Sequence, residues 1–106
     1  MSGGVSVVIP VKDGAEYLAE VLAAVRAQEP GIELLVIDSG SRDDSVELAR
    51  AAGAEVLEIA PESFGHGRTR NLGAEQTGGE LICFLTQDAT PLPGWLAAFR
   101  AAFGVA

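Results

Sequence analysis

Two short runs limit the fold before any other feature is considered: VSVVIP at residues 5–10 and IELLVID at residues 32–38. Each is nearly continuous in apolar, largely β-branched residues, too apolar for a strand with one wet face, so each predicts a strand buried on both faces. The segment between them carries Leu18, Val21, Leu22 and Val25 at helical spacing. Buried strand, amphipathic helix, buried strand is the pattern of a parallel crossover.

The same alternation continues to the end of the chain. Pro10 cannot donate to a ladder and predicts the end of strand one, and Asp13 stands where it could cap a helix over residues 15–27. Ser41 and Asp44 have the spacing of a capping box ahead of a helix over 46–52, closed by Gly53. Residues 55–59 alternate polar and apolar, which predicts an edge strand. Residues 61–67 form a loop, 68–76 a modest helix, 81–85 a fourth strand, and 95–103 an amphipathic helix with Trp95, Leu96, Phe99, Ala102 and Phe103 on one stripe. The expected fold is one α/β domain spanning residues 1–106, a Rossmann-like, mostly parallel sheet with helices on both faces.

Composition narrows the partners. Fifteen acidic against seven basic residues give a net charge of −8, which argues against a broad nucleic-acid surface. An anionic ligand must then be held locally, and Arg68 and Arg70 beside His66 are the one concentrated positive spot. The lone cysteine, Cys83, lies in an apolar run and reads as core. The N-terminal residues lack leader character and no apolar run reaches the ~18 residues of a membrane span, so the expectation is a soluble, cytoplasmic piece. The apolar helix pattern running to the end of the chain predicts a continuation beyond residue 106. Until that continuation covers it, self-association through Trp95, Phe99 and Phe103 is expected.

In such a sheet the segments leaving the carboxyl ends of the strands converge on one edge, where ligands bind. Here those segments are 10–13, 38–42, 61–70 and 86–90. A dinucleotide fingerprint fails on position, because the chain has PVKDG after strand one and Gly65-His66-Gly67 lacks a third glycine. No Gly-Lys-Ser/Thr occurs, which removes the P-loop. A phospho-acceptor receiver would need an acidic pair after strand one and a lysine after the last strand, and neither is present.

PVKDG, LLVIDSGSRDDS, HGRTRNLGA and LICFLTQDATPLPGW follow one another in this order. Together they resemble the donor-binding half of family 2 glycosyltransferases, with their V-x-V-x-I-P-x-x-N/D, V-D-D-G-S-x-D-x-S, G-x-x-x-A-R-N-x-G and D-x-D motifs on a GT-A fold. The resemblance spans residues 5–95. It implies an inverting transferase moving a sugar from a nucleoside-diphosphate sugar to a glycan or lipid-linked hydroxyl acceptor in polysaccharide synthesis, membrane-associated in its full-length form or not. Two other readings stand beside it: a sugar-nucleotidyltransferase, which would want a glycine-rich basic loop after strand one, and a non-catalytic nucleotide-binding or assembly module, which would have lost Asp38, Arg70 and Asp88.

Carried over by position, the resemblance makes Asp38 a nucleobase contact, with Pro10 and Val11 forming one side of the pocket. A carboxylate can accept from a base N–H, which suits that role. Arg70 would face the nucleotide or its phosphates, while Asn71 and Gly73 shape the helix start. Asp13, Ser39 and Gln87 complete the implied substrate-binding set. Asp88, the last residue of T-Q-D, would meet a Mg²⁺ or Mn²⁺ ion bridging the diphosphate. Thr86 stands where the family has its first aspartate, so the ion would be held chiefly by phosphate oxygens. The resemblance also places the catalytic base beyond residue 106, so no catalytic residue is assigned within the chain. Asp43 and Asp44 read as first-turn helix carboxylates, His66 as a loop residue, Arg42 and Arg50 as solvated, and Trp95 as core.

Overall fold

The computed structural model describes residues 4–104; the first three residues, read above for leader character, and the last two lie outside the described residues. Four strands, β1 (Val5–Val11), β2 (Glu33–Asp38), β3 (Glu55–Glu58) and β4 (Leu81–Phe84), alternate with helices α1 (Ala15–Arg26), α2 (Ser45–Ala51), α3 (His66–Gln76) and α4 (Trp95–Ala102). The sheet order is β3-β2-β1-β4, and every pairing is parallel. The expected α/β fold is present, with β1 and β2 at the centre and the alternating β3 at one edge.

Each face has its own core. Val5, Val7, Ile9 and Val11 of β1, with Leu34, Val36 and Cys83, meet Leu18, Val21, Leu22 and Val25 of α1, Ala49 of α2 and Leu96 of α4. The opposite face presents Val8, Leu35 and Ile37, with Leu57, Ile59 and Ile82 packed beside them. There α3 lies close, because Gly73 has no side chain: a Cβ at that position would fall 2.7 Å from Val8 Cγ1. Burial pushes the Cys83 thiol up, consistent with an inert core residue.

Four local readings change. Strand β1 runs through Pro10, which pairs with Ile37, to Val11. Val8 accepts from Leu85 on the β4 side and Val11 from Ser39 on the β2 side, so Pro10 faces β4 just past the point where β4 ends, and its missing donor goes unnoticed. Asp13 does not cap α1; it sits at φ 51, and Asp43 accepts the Ala15 N–H at 3.0 Å instead. The box between Ser41 and Asp44 is not formed either, since Ser41 turns to Asp38 and Asp13. Helix α3 begins at His66, two residues before the expected start, with an extended Gly65 ahead of it and Thr69 N–H donating to Gly65 O at 2.7 Å.

At the far end of the chain, Trp95 and Phe99 pack against the core while Phe103 is 64% exposed. Gln28 fastens α4 through its amide, accepting from Leu96 N–H at 3.1 Å and donating to Leu92 O at 3.0 Å. Glu29 and Arg100 add a two-pronged ion pair at 2.8 and 3.0 Å, which lowers the Glu29 carboxyl below its ordinary range.

Candidate functional site: a cavity at the carboxyl edge of the sheet

The segments leaving the strand ends enclose a cavity of about 500 Å³. One side is formed by Pro10, Val11, Lys12 and Ser39; the other by Pro61, Phe64, His66, Thr69 and Arg70 with Phe84, Leu85, Thr86 and Gln87. The lining is mostly apolar with a few polar heads, the make-up of a small-molecule site.

The first side is tied together across the β1–α1 and β2–α2 loops. Ser39 N–H donates to Val11 O at 3.0 Å and Lys12 Nζ to Gly40 O at 2.7 Å. Asp13 N–H donates to Ser41 Oγ at 2.8 Å, and Asp13 Oδ1 accepts from Arg42 N–H at 2.7 Å. Gly14 N–H reaches Ser45 Oγ at 2.9 Å, and Asp43 Oδ1 accepts from Ser45 N–H at 3.0 Å. The bonds from the Ser45 hydroxyl and the Ala15 N–H hold the Asp43 carboxyl below its ordinary value of 3.8. Asp38 is 2% exposed, and its carboxylate accepts from Gly40 N–H at 3.1 Å, Ser41 N–H at 2.9 Å and the Ser41 hydroxyl. It closes its own loop in the manner of an Asx turn.

The second side is built from rings and the Arg70 guanidinium. Phe84 is 36% exposed, and the Arg70 guanidinium lies 5.8 Å from its ring centroid, a cation–π contact. His66 meets the edge of Phe64 with ring centroids 5.2 Å apart. At the floor the Gln87 amide pairs with the backbone of Lys12, accepting its N–H at 2.7 Å and donating to its carbonyl at 3.1 Å.

Of the residues singled out in the sequence, Pro10, Val11, Ser39, Arg70 and Gln87 line the cavity. Asp13 and Asp38 stand behind its wall, engaged with loop backbone, and the exposed Asp88 lies on the strand-four loop next to the lining residues Thr86 and Gln87. Among the described residues no group of three or more His, Cys, Asp or Glu side chains could hold a metal ion. Of the oxygen-bearing side chains near the cavity, Thr86 and Asp88 share the turn after β4, and one carboxylate with one hydroxyl fits a cation carried in by a diphosphate and not one caged by protein. Lys12, Phe64, Thr69 and Phe84 went unassigned in the sequence, and His66, read there as a loop residue, is the first residue of α3 and lines the cavity. The only signals for them were the basic cluster at 66–70 and, for Phe84, strand alternation that turns it away from the buried Cys83.

This architecture is that of known sugar-transferring enzymes. The sequence profile of Glycosyl transferase family 2 matches residues 6–104, and the chain belongs to that family. It is 39% identical over 100 residues to glycosyltransferase AglE of Haloferax volcanii, covering 87% of this chain and 33% of that protein. It is 38% identical over 89 residues to the O-antigen chain rhamnosyltransferase RfbN of Salmonella typhimurium, covering 80% of this chain and 28% of that one. Among solved structures, glucosyl-3-phosphoglycerate synthase of Mycobacterium tuberculosis, in complex with Mn²⁺, UDP and glucosyl-3-phosphoglycerate, superposes with a TM-score of 0.76 at 29% identity, covering 94% of this chain and 39% of that one. TarS of S. aureus, residues 1–349, gives a TM-score of 0.78 at 26% identity, covering 95% and 32%. The fold is therefore of the GT-A type. The chain spans a third or less of the length of the curated relatives it matches.

Proposed function

We propose that residues 4–104 form the donor site of an inverting glycosyltransferase, binding a nucleoside-diphosphate sugar for transfer to a hydroxyl acceptor in polysaccharide synthesis. The observation that carries this reading is the cavity at the carboxyl edge, with Pro10 and Val11 on the β1 side and the Arg70 guanidinium opposite, beside the His66 ring. Support comes from the neighbour that holds UDP and Mn²⁺ on the same fold and from the O-antigen relative.

In this reading the flat base lies against Pro10 and Val11, with the Ser39 hydroxyl as its hydrogen-bonding partner, because Ser39 lines the cavity and Asp38 does not; the hydroxyl donates to Val11 O at 3.4 Å and keeps its acceptor lone pairs for a base N–H. Asp38 and Asp13 act on the base indirectly, by fixing the loops that shape this wall. Arg70 carries a permanent charge toward the diphosphate, steadied by Phe84 beneath it. His66, first in α3, adds a ring nitrogen at the same end. A divalent cation, when bound, neutralises charge on the departing diphosphate; Asp88 offers it a carboxylate oxygen and Thr86 a hydroxyl. In an inverting transfer the acceptor oxygen bonds to the anomeric carbon as the bond to the diphosphate breaks, and the acceptor proton passes to a base. Neither that base nor an acceptor site is assigned to residues 4–104.

Calorimetric titration with UDP, dTDP and GDP, each with and without Mn²⁺, tests the reading. Binding of at least one, tightened by Mn²⁺ and weakened by Arg70→Ala, is expected. Absence of binding by all of them at millimolar concentration contradicts it.

A further inference from the structure

We propose that Gln87 is a positioning residue whose side-chain amide fastens the turn carrying Asp88 to the end of β1, and so couples the nucleoside side of the cavity to its diphosphate side. The coupling rests on the donor-site reading above; the clamp itself rests on geometry alone.

In a parallel sheet alternate residues of a strand face alternate neighbours. Val8 faces β4 and accepts from Leu85 N–H at 3.0 Å. Pro10, the next residue on that side, has nothing to donate, and β4 has ended at Phe84. Lys12 comes next, and there the Gln87 side chain takes the place of a strand: its Oε1 accepts the Lys12 N–H at 2.7 Å and its Nε2 donates to the Lys12 carbonyl at 3.1 Å. The orientation of the amide follows from its partners, since a backbone N–H can only donate and a carbonyl can only accept. Gly14, one step further, makes room, because a Cβ there would come within 2.9 Å of Gln87 Oε1.

Gln87 and Asp88 are the two central residues of a turn closed by Ala89 N–H donating to Thr86 O at 3.2 Å, so fixing one fixes the placement of the other. On its far side Lys12 is bonded through Nζ to Gly40 O at 2.7 Å. A continuous set of hydrogen bonds thus runs from the β2–α2 loop, through the end of β1, to the turn bearing the carboxylate. A side chain that merely held the loop would contribute equally to every ligand. A clamp that places Asp88 contributes to the part of binding that depends on the cation.

The test uses Gln87→Ala, Gln87→Glu and Gly14→Ala. Gln87→Glu keeps the acceptor for Lys12 N–H and loses the donor to its carbonyl. Gly14→Ala displaces an unaltered Gln87, and the backbone at Gly14, with φ −100, tolerates alanine. In the nucleotide-free protein, Gln87→Ala is expected to raise hydrogen exchange of the Lys12 amide by about tenfold while the Ser39 amide, bonded to Val11, stays as slow as before. In titrations with UDP and dTDP, the affinity gained on adding Mn²⁺ should fall by about tenfold in Gln87→Ala and Gly14→Ala, and in Gly14→Ala, which keeps the Gln87 side chain, the metal-free affinity should stay within about twofold. Gln87→Glu should fall between these variants and the unsubstituted protein. Unchanged Lys12 exchange overturns the clamp. Equal loss of metal-free and Mn²⁺-supported affinity overturns the coupling. If the unsubstituted protein binds neither nucleotide, the donor-site reading fails and takes the coupling with it, while Lys12 exchange decides the clamp separately.

Discussion

Between β1 and β2 the chain goes on hydrogen bonding after both strands have ended; between α3 and β4, on the other side of the same cavity, the contacts are between rings and with the Arg70 guanidinium. On the first side Ser39, Ser41, Asp43 and Ser45 of one loop meet Val11, Asp13, Gly14 and Ala15 of the other, mostly through backbone N–H groups. On the second side Phe64, His66, Arg70 and Phe84 are solvent-exposed, and Arg70 and Phe84 touch through a cation–π contact. Charge-assisted and buried hydrogen bonds hold a geometry before a ligand arrives, whereas exposed aromatic and guanidinium groups can re-aim around one. The difference suits a donor whose flat base needs a fixed slot and whose diphosphate needs a guanidinium that can close on it.

The largest effect should come from breaking the support of the second side. Gly73→Leu forces a side chain into Val8 and should lift α3 from the sheet, costing about 3 kcal/mol in chemical denaturation and abolishing nucleotide binding with it. A stable, binding-competent Gly73→Leu would mean that α3 is not seated on Val8. Next is the first side. Asp38→Ala strands the N–H groups of Gly40 and Ser41 and should cost about 2 kcal/mol in the same assay. If instead it leaves stability unchanged and weakens only nucleoside binding, Asp38 is a base contact after all.

Smaller effects sharpen the contrast. Arg70→Ala should weaken nucleoside-diphosphate binding by about tenfold, about 1.4 kcal/mol, with little change in the melting temperature of this exposed site. Last comes acid. The Asp43 and Glu29 carboxyls are both held below their ordinary values of 3.8 and 4.5, so each contributes stability that is complete above those values and lost as the pH falls through its lower, folded-state value. Melting temperatures followed from neutral pH into that range should show a shallower acid decline for Asp43→Asn than for the unsubstituted protein. For the partly exposed ion pair, Glu29→Gln should cost less than about 1 kcal/mol at neutral pH and nothing once the carboxyl is protonated.

The fold was readable in the sequence because burial on both faces leaves its mark residue by residue: VSVVIP and IELLVID could not be half-wet strands, and the alternation of 55–59 could belong only at an edge. The loops were less readable. Asp13 occupies the place of a local cap, yet Ala15 is capped by Asp43, 28 residues away, and Gly14 by Ser45, 31 away. Local spacing cannot report a partner that only the parallel register of β1 and β2 brings alongside. Asp38 shows the same effect: its position at a strand end was visible, but whether its oxygens turn outward or back into their own loop depends on Gly40 at φ 92 and on Ser41. Phe84 was hidden by its apolar neighbours, since an exposed ring at a strand end has the same composition as a buried one.

Amide hydrogen exchange with and without a bound nucleoside diphosphate measures the contrast between the two sides most directly. The account predicts that the amides of Ser39, Ser41, Arg42 and Ser45 and of residues 13–15 are already protected in the free protein and change little, and that ligand-induced protection concentrates in residues 61–76 and 84–90. Rapid exchange across the β1 and β2 loops in the free protein, with protection gained there on binding, would contradict it.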